Sequence, residues 1–137
     1  MSFYLWITAV NEPAVIGVDD NQRSMFSMNF GACAREPVVR FEEEIAAVLA
    51  GAGYFSLGTT GFIGPNSTIP PDLGGGPFVT IINTGGTSPN ETHDNGKCRV
   101  MSCQLVVRGL NSVTTRGRAL AVWHALDGIR NTNITGI

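Results

Sequence analysis

Residues 99–109 carry the most regular alternation in this chain of 137 residues, and this run constrains the fold most. Successive side chains of a β-strand point to opposite faces, so residues of the same parity share a face. One face would carry Met101, Cys103, Leu105 and Val107, and the other Val100, Ser102, Gln104, Val106 and Arg108. The run predicts a strand long enough to organise a sheet.

A first helix is predicted over residues 38–50. Pro37 suits the first helical turn, and the carboxylates at 42–44 would lie near the positive end of the helix dipole. The apolar residues recur at helical spacing and form one stripe of Phe41, Ile45, Val48 and Leu49. Gly51 and Gly53 then end the helix.

A second helix follows the long strand. Thr114 or Thr115 can cap its start. The apolar side chains on one face are Ala119, Val122, Trp123, Leu126 and Ile129. The pair Asp127-Gly128 breaks the pattern, and we expect the tail beyond it to fray.

The middle of the chain is rich in turn-forming residues. Residues 51–89 hold 15 of the 24 glycines and prolines. Two apolar runs, 54–63 and 78–83, interrupt them and predict two strands. The intervening segments 64–77 and 84–96 are predicted to be long loops.

The N-terminal part has a different character. Residues 1–10 have the period of a strand, whereas 11–36 show no clear period and predict an irregular arm. We therefore divide the chain into a strand and extended arm at 1–37 and a domain at 38–137. Neighbouring strands without intervening helices favour antiparallel pairing, so the sequence predicts an α+β fold with two helices on one face of an antiparallel sheet.

Charge is sparse and unevenly distributed. Only 15% of residues are charged and the net charge is -2, which argues against a basic nucleic-acid-binding domain. Ten of the eleven acids lie in residues 1–96, and six of the nine bases lie in residues 97–137. This division favours pairing within the fold or between copies, with Glu42, Glu43 and Glu44 opposite Arg116 or Arg118; solvated faces of each sign are the alternative.

The three cysteines do not form a zinc or redox motif. Cys98 and Cys103 would point to opposite faces of one strand, so a disulfide between them is not expected. The apolar segment at 3–10 lacks the basic region of a secretory signal and is too short to cross a bilayer. We therefore expect synthesis in the cytoplasm and no membrane partner.

No catalytic constellation is evident. His93, Asp94 and His124 have no ligands at metal-site spacing, and no nucleophile elbow is present. Cys98 follows Gly96-Lys97 where a phosphate loop requires Ser or Thr. We expect no enzymatic activity, no metal and no cofactor.

Several segments, in this order and spacing, resemble the tail terminator proteins of long-tailed bacteriophages, also labelled minor capsid or tail-completion proteins. They are FEEEIAAVL at 41–49, PD at 71–72, PFVTIINTGG at 77–86, QLVVRG at 104–109, RALA at 118–121 and ALDG at 125–128. The resemblance covers residues 38–130, and the first 37 residues depart from the family pattern.

The resemblance implies a structural virion protein at the junction of tail and neck. Such proteins form a six-fold ring on the head-proximal end of the tail tube, stop its polymerisation and join it to a neck or head-completion protein. Genomic DNA passes through the lumen without sequence-specific binding, and no catalytic residues are implied. Contacts with other subunits or with the tube are hypothesised at Glu42, Glu43, Glu44, Pro70, Pro71, Asp72, Thr84, Gly85, Gly86, Arg108, Arg116 and Arg118.

Three alternatives stay open. Another head-tail connector or a neck adaptor would share most of these features. A small cytoplasmic metal-binding enzyme would need His93, Asp94 and His124 to converge. A monomeric peptide-binding or ligand-binding module would stay single at all concentrations.

Overall fold

The computed structural model describes residues 2–20, 22–35, 41–64, 75–86, 90–91 and 97–134. These residues form eight strands and two helices, which confirms the predicted α+β class. In chain order they are β1 (Ser2–Ala9), β2 (Ala14–Val18), β3 (Ser24–Arg35), α1 (Phe41–Gly51), β4 (Gly61–Ile63), β5 (Phe78–Gly86), β6 (Asn90–Glu91), β7 (Lys97–Gly109), α2 (Ser112–Leu126) and β8 (Ile129–Ile134).

All the strands belong to one sheet. Its spatial order is β4-β5-β7-β3-β1-β8, with β2 beside β3 and β6 beside β7. Strands β3 and β7 pair antiparallel from Ser24 opposite Gly109 to Arg35 opposite Cys98. The strand predicted at 99–109 is therefore confirmed, and it lies at the centre of the sheet.

The prediction of an irregular arm at 11–36 is wrong. Both β1 and β2 run antiparallel to the same edge of β3, with Ala9 opposite Phe30 and Ala14 opposite Ser27. Together the three strands form a long, interrupted hairpin. At the interruption, Asn11 Oδ1 accepts the backbone N–H of Asn29 at 3.0 Å. The N-terminal residues are thus part of the central sheet.

The two-residue apolar alternation of β3 is present in the sequence but is weak. Its buried core-facing residues are Phe26, Met28, Phe30, Ala32 and Ala34. Small and polar residues alternate with them, at Ser27, Asn29, Gly31 and Cys33. Because two of these, Ser27 and Cys33, are themselves buried, the contrast between the two faces is weak.

The two helices pack on one face of the sheet, as predicted. Phe41, Ile45 and Leu49 of α1 are buried in the core, as are Ala119, Val122 and Leu126 of α2. Opposite them lie core-facing residues of the central strands, such as Phe30 of β3 and Leu105 of β7. Burying such side chains stabilises the fold by about 1.5–3 kcal/mol each.

The second helix begins earlier than predicted. Its cap is Asn111, whose Oδ1 accepts the backbone N–H groups of Val113 and Thr114 at 3.0 and 3.1 Å. Thr115 is buried in the first turns, and its hydroxyl donates to the Asn111 carbonyl at 2.7 Å. Asn is as effective a cap as Ser or Asp, and it already accounts for these N–H groups.

Two other boundaries differ from the prediction. The region 54–63 is mostly turns, with a strand only at Gly61–Ile63, and that strand pairs parallel to β5. The tail does not fray at once, because β8 pairs antiparallel with β1. Of the predicted loops, 65–74, 87–89 and 92–96 lie outside the described residues, as do 36–40 around the first helix start.

The cysteines have different states. Cys103 is a free thiol, in line with the expected absence of a Cys98–Cys103 disulfide, whereas Cys33 is disulfide-bonded, which the sequence did not predict. Burial, reinforced by the charge of Glu42, raises the pKa of Cys103 to about 12. Its thiol therefore stays protonated at neutral pH.

Candidate subunit interface

Strand β2 exposes three large apolar side chains. The exposed fractions are 68% for Val15, 52% for Ile16 and 56% for Val18. Among the described residues β2 is hydrogen-bonded to β3 alone, so the backbone groups of its outer edge are open to pairing. An open edge with apolar side chains is a surface that proteins normally cover or use. We call residues 14–18 the β2 edge.

A turn that includes Asp19, Gln22 and Arg23 holds β2 against β3. The backbone N–H of Asp19 donates to the Arg23 carbonyl at 2.9 Å, and Asp19 Oδ1 accepts the Arg23 backbone N–H at 2.9 Å. Gln22 has a φ of 62°, a left-handed conformation that reverses the chain within this short turn. The turn and the register together fix which side chains the β2 edge presents.

A groove of about 440 Å³ lies between the β2 edge and the start of α2. Val113, 81% exposed, stands on the helix side, and the adjoining Leu110 is 55% exposed. The groove is lined by Pro13, Val15, Phe26, Ser112, Val113 and Arg116. It combines apolar walls with one cation, which suits an apolar side chain beside a carboxylate.

The three glutamates of the predicted contact occupy the first turn of α1 but differ in environment. Glu44 is buried, and the Tyr4 hydroxyl donates to its Oε2 at 3.4 Å. Burial and the Glu44 charge raise the pKa of Tyr4 far above its ordinary value. Glu42 is half-buried and accepts from Asn83 Nδ2 at 3.0 Å. Glu44 therefore serves the subunit's own core, whereas Glu42 and Glu43 stay partly accessible.

The predicted arginines are separated by the fold. Arg116 is exposed and lines the groove, whereas the Arg118 guanidinium lies 5.2 Å from the centroid of the Tyr54 ring. Arg108, on β7, has its Nη1 3.7 Å from Asp19 Oδ2. Arg116 is thus the arginine of this set that stands beside the exposed apolar surface.

The loop residues of the prediction are only partly described. Pro70, Pro71 and Asp72 lie outside the described residues. Thr84, Gly85 and Gly86 end β5, where the Thr84 hydroxyl donates to Ser102 Oγ at 3.0 Å. Gly85 has a φ of 104° beside a register shift, so this strand end is irregular.

The residues of the metal-binding alternative are only partly described. His124 is exposed, with its ring centroid 4.8 Å from that of Trp123. His93 and Asp94 fall outside the described residues. Within the described ranges, no three His, Cys, Asp or Glu side chains are grouped so that they could hold a metal ion. Nor is any described helix long and apolar enough to span a membrane.

Of the residues of the β2 edge and the groove, Arg116 alone was among the predicted contact residues. The signal was present, because an A-V-I-G-V run in a polar surrounding has strand character. Its side chains could be recognised as exposed only once β2 was placed at an edge. Comparison of the chain with family models, curated proteins and solved structures finds no match to any of the three.

Proposed function

We propose that this chain is a structural subunit that forms a ring at the head-proximal end of a bacteriophage tail tube. In this role it ends tube polymerisation and joins the tail to the neck. The proposal starts from the resemblance of six segments between residues 41 and 128 to tail terminator proteins. An α+β subunit with both helices on one side of its sheet is consistent with that resemblance.

The observation that carries the proposal is the exposed apolar β2 edge beside the groove. Three apolar side chains more than half exposed on one five-residue strand are costly to leave in water. A second subunit that covers them would remove that apolar surface and pair the open backbone groups. The surface therefore supports an assembling protein over a monomeric module.

Ring closure requires contacts between unlike surfaces. In a head-to-tail ring the β2 edge and groove of one copy meet a different surface of the next. Arg116 gives the groove a positive charge, and the acid-rich first part of the chain can provide the matching carboxylate. Glu42 and Glu43 at the start of α1 are candidates for that role.

The other partners follow from the same proposal. The subunit would contact a tail tube protein on one side of the ring and a neck or head-completion protein on the other. Genomic DNA would pass through the lumen without base-specific contacts. Assembly would take place in the host cytoplasm, and the product would be part of the virion.

A tube-length assay tests this function. Purified tail tube protein is polymerised with increasing amounts of the chain, and tube lengths are measured by electron microscopy. A terminator shortens the tubes in proportion to its amount and forms one ring at one tube end. Tubes of unchanged length, with the chain bound only to a neck protein, would instead identify a neck adaptor.

A charged substitution at the β2 edge links the assay to the structure. Ile16→Lys places a charge on the open edge and should abolish ring formation and tube shortening. Leu57→Lys is the matched control, since Leu57 is 60% exposed and lies outside the β2 edge and the groove. Equal activity of both variants would show that the β2 edge is not part of the interface.

A further inference from the structure

A cluster of charges lies where Asp19 and Arg23, between β2 and β3, meet the end of β7. Arg23 is only 3% exposed, and its guanidinium carbon stands 4.9 Å from the centroid of the Phe78 ring. Asp19 Oδ2 is 4.0 Å from Arg23 Nη1 and 3.7 Å from Arg108 Nη1. Two guanidinium groups thus converge on one carboxylate.

The cluster lies on the sheet face opposite the helices. Phe78 and Met25 are the cross-strand neighbours of Arg108, so the three side chains share a face. The adjacent row, Val79, Val107 and Phe26, belongs to the core beneath the helices. The Arg108 side chain is 23% exposed, so the cluster reaches solvent on the helix-free face.

The arginines have more hydrogen-bonding capacity than the cluster uses. Charge-assisted N–H···O bonds are about 2.7–2.9 Å long, and both contacts with Asp19 Oδ2 are longer. The Nε atoms of Arg23 and Arg108 are buried and have no hydrogen-bond partner among the described residues. A buried donor without a partner destabilises the fold, and an excess buried positive charge adds to that destabilisation.

We propose that Arg23 and Arg108 form a binding site for an oxyanion of the phosphate or carboxylate type. The planar guanidinium fork matches both groups, because each presents paired oxygens at the spacing of its N–H donors. The anion would supply the second negative charge that the two arginines require beside Asp19. Phe78 and the hairpin turn would fix Arg23, so that the ligand meets a preorganised donor. This site is independent of the proposed function.

Nuclear magnetic resonance of the arginine Nε–H groups tests the site directly. The full chain is titrated with inorganic phosphate, and separately with acetate, at constant ionic strength set with sodium chloride. The Nε–H signals of Arg23 and Arg108 should shift and saturate with a Kd of about 1 mM or lower for at least one anion. Saturation by phosphate alone, or by acetate alone, identifies which oxyanion the site prefers.

Substitutions distinguish specific anion binding at Arg23 and Arg108 from a nonspecific effect of added ions. Arg108→Gln should weaken binding at least about tenfold, whereas Arg130→Gln, at an exposed arginine on β8, should leave it unchanged. Arg108→Lys keeps the charge but loses the planar guanidinium, so it should also weaken binding. It is the variant to test if Arg108→Gln does not fold. Signals that shift linearly without saturation, or a Kd unaffected by the folded Arg108 variant, would overturn the proposal.

Discussion

At the scale of single residues, the protonation of Cys103 makes the stability of the fold depend on pH. Its thiol is buried on the helix-facing side of β7, and its pKa rises from 9.0 to about 12 on folding. The unfolded chain therefore loses this proton at a lower pH than the folded chain. A group of this kind stabilises the fold below its unfolded pKa, and that contribution is lost as the pH rises toward the folded value.

We predict that the free energy of unfolding falls as pH rises above about 9, by up to about 1.4 kcal/mol per pH unit from this group. Cys103→Ala removes the thiol, so the difference in stability between the native chain and the variant should shrink between pH 8 and pH 10. Urea denaturation at several pH values measures both. A constant difference across that range would show that Cys103 does not titrate in this way.

At the scale of elements, Asn111 determines where α2 begins. It accepts two backbone N–H groups of the first turn, and the start of α2 carries the groove residues Ser112, Val113 and Arg116. Loss of a side-chain cap typically costs about 1 kcal/mol. Asn111→Ala should therefore destabilise the protein by about that amount in urea denaturation. Ser112→Ala, one residue later and exposed, is the control, and an equal loss in both variants would contradict the capping role.

The hairpin of β1, β2 and β3 gives the second prediction at this scale. Because β3 lies between β7 and β1, a chain that lacks residues 1–35 loses a central strand of the sheet. We expect the fragment 36–137 to show no cooperative unfolding transition by circular dichroism. A fragment that unfolds cooperatively would contradict this and would support a separate domain at 38–137 that folds without the N-terminal arm.

The sequence predicted elements well where one strong periodic signal dominates. The alternation at 99–109 identified β7, and the apolar stripe of Phe41, Ile45 and Leu49 identified α1. It failed where the signal depends on neighbours. β3 was missed because its second face also carries two buried residues, Ser27 and Cys33. β8 was missed because β1, far away in sequence, provides its pairing.

The candidate interface was harder to predict than the fold, for a related reason. A carboxylate in the sequence does not show whether it points outward, and Glu44 turned out to be a buried partner of Tyr4. Val15 and Val113 were ordinary apolar residues until the fold placed them on opposite sides of one groove. Exposure is a property of the assembled sheet, so sequence patterns alone did not reveal this surface.

At the scale of the whole molecule, the surface of the chain favours self-assembly. The chain has few charges, an exposed apolar edge and a groove with a single cation among its lining residues. These features support closed association through unlike surfaces, with an electrostatic part that salt should weaken and an apolar part that it should not.

The mass of the purified chain in solution, measured by light scattering over a concentration series at low and high salt, tests this claim most directly. We predict a closed species near six subunits, formed with increasing concentration or on addition of tail tube protein, and lost in Ile16→Lys but kept in Leu57→Lys. A strict monomer at every concentration and salt level, unchanged by tail tube protein, would contradict the account.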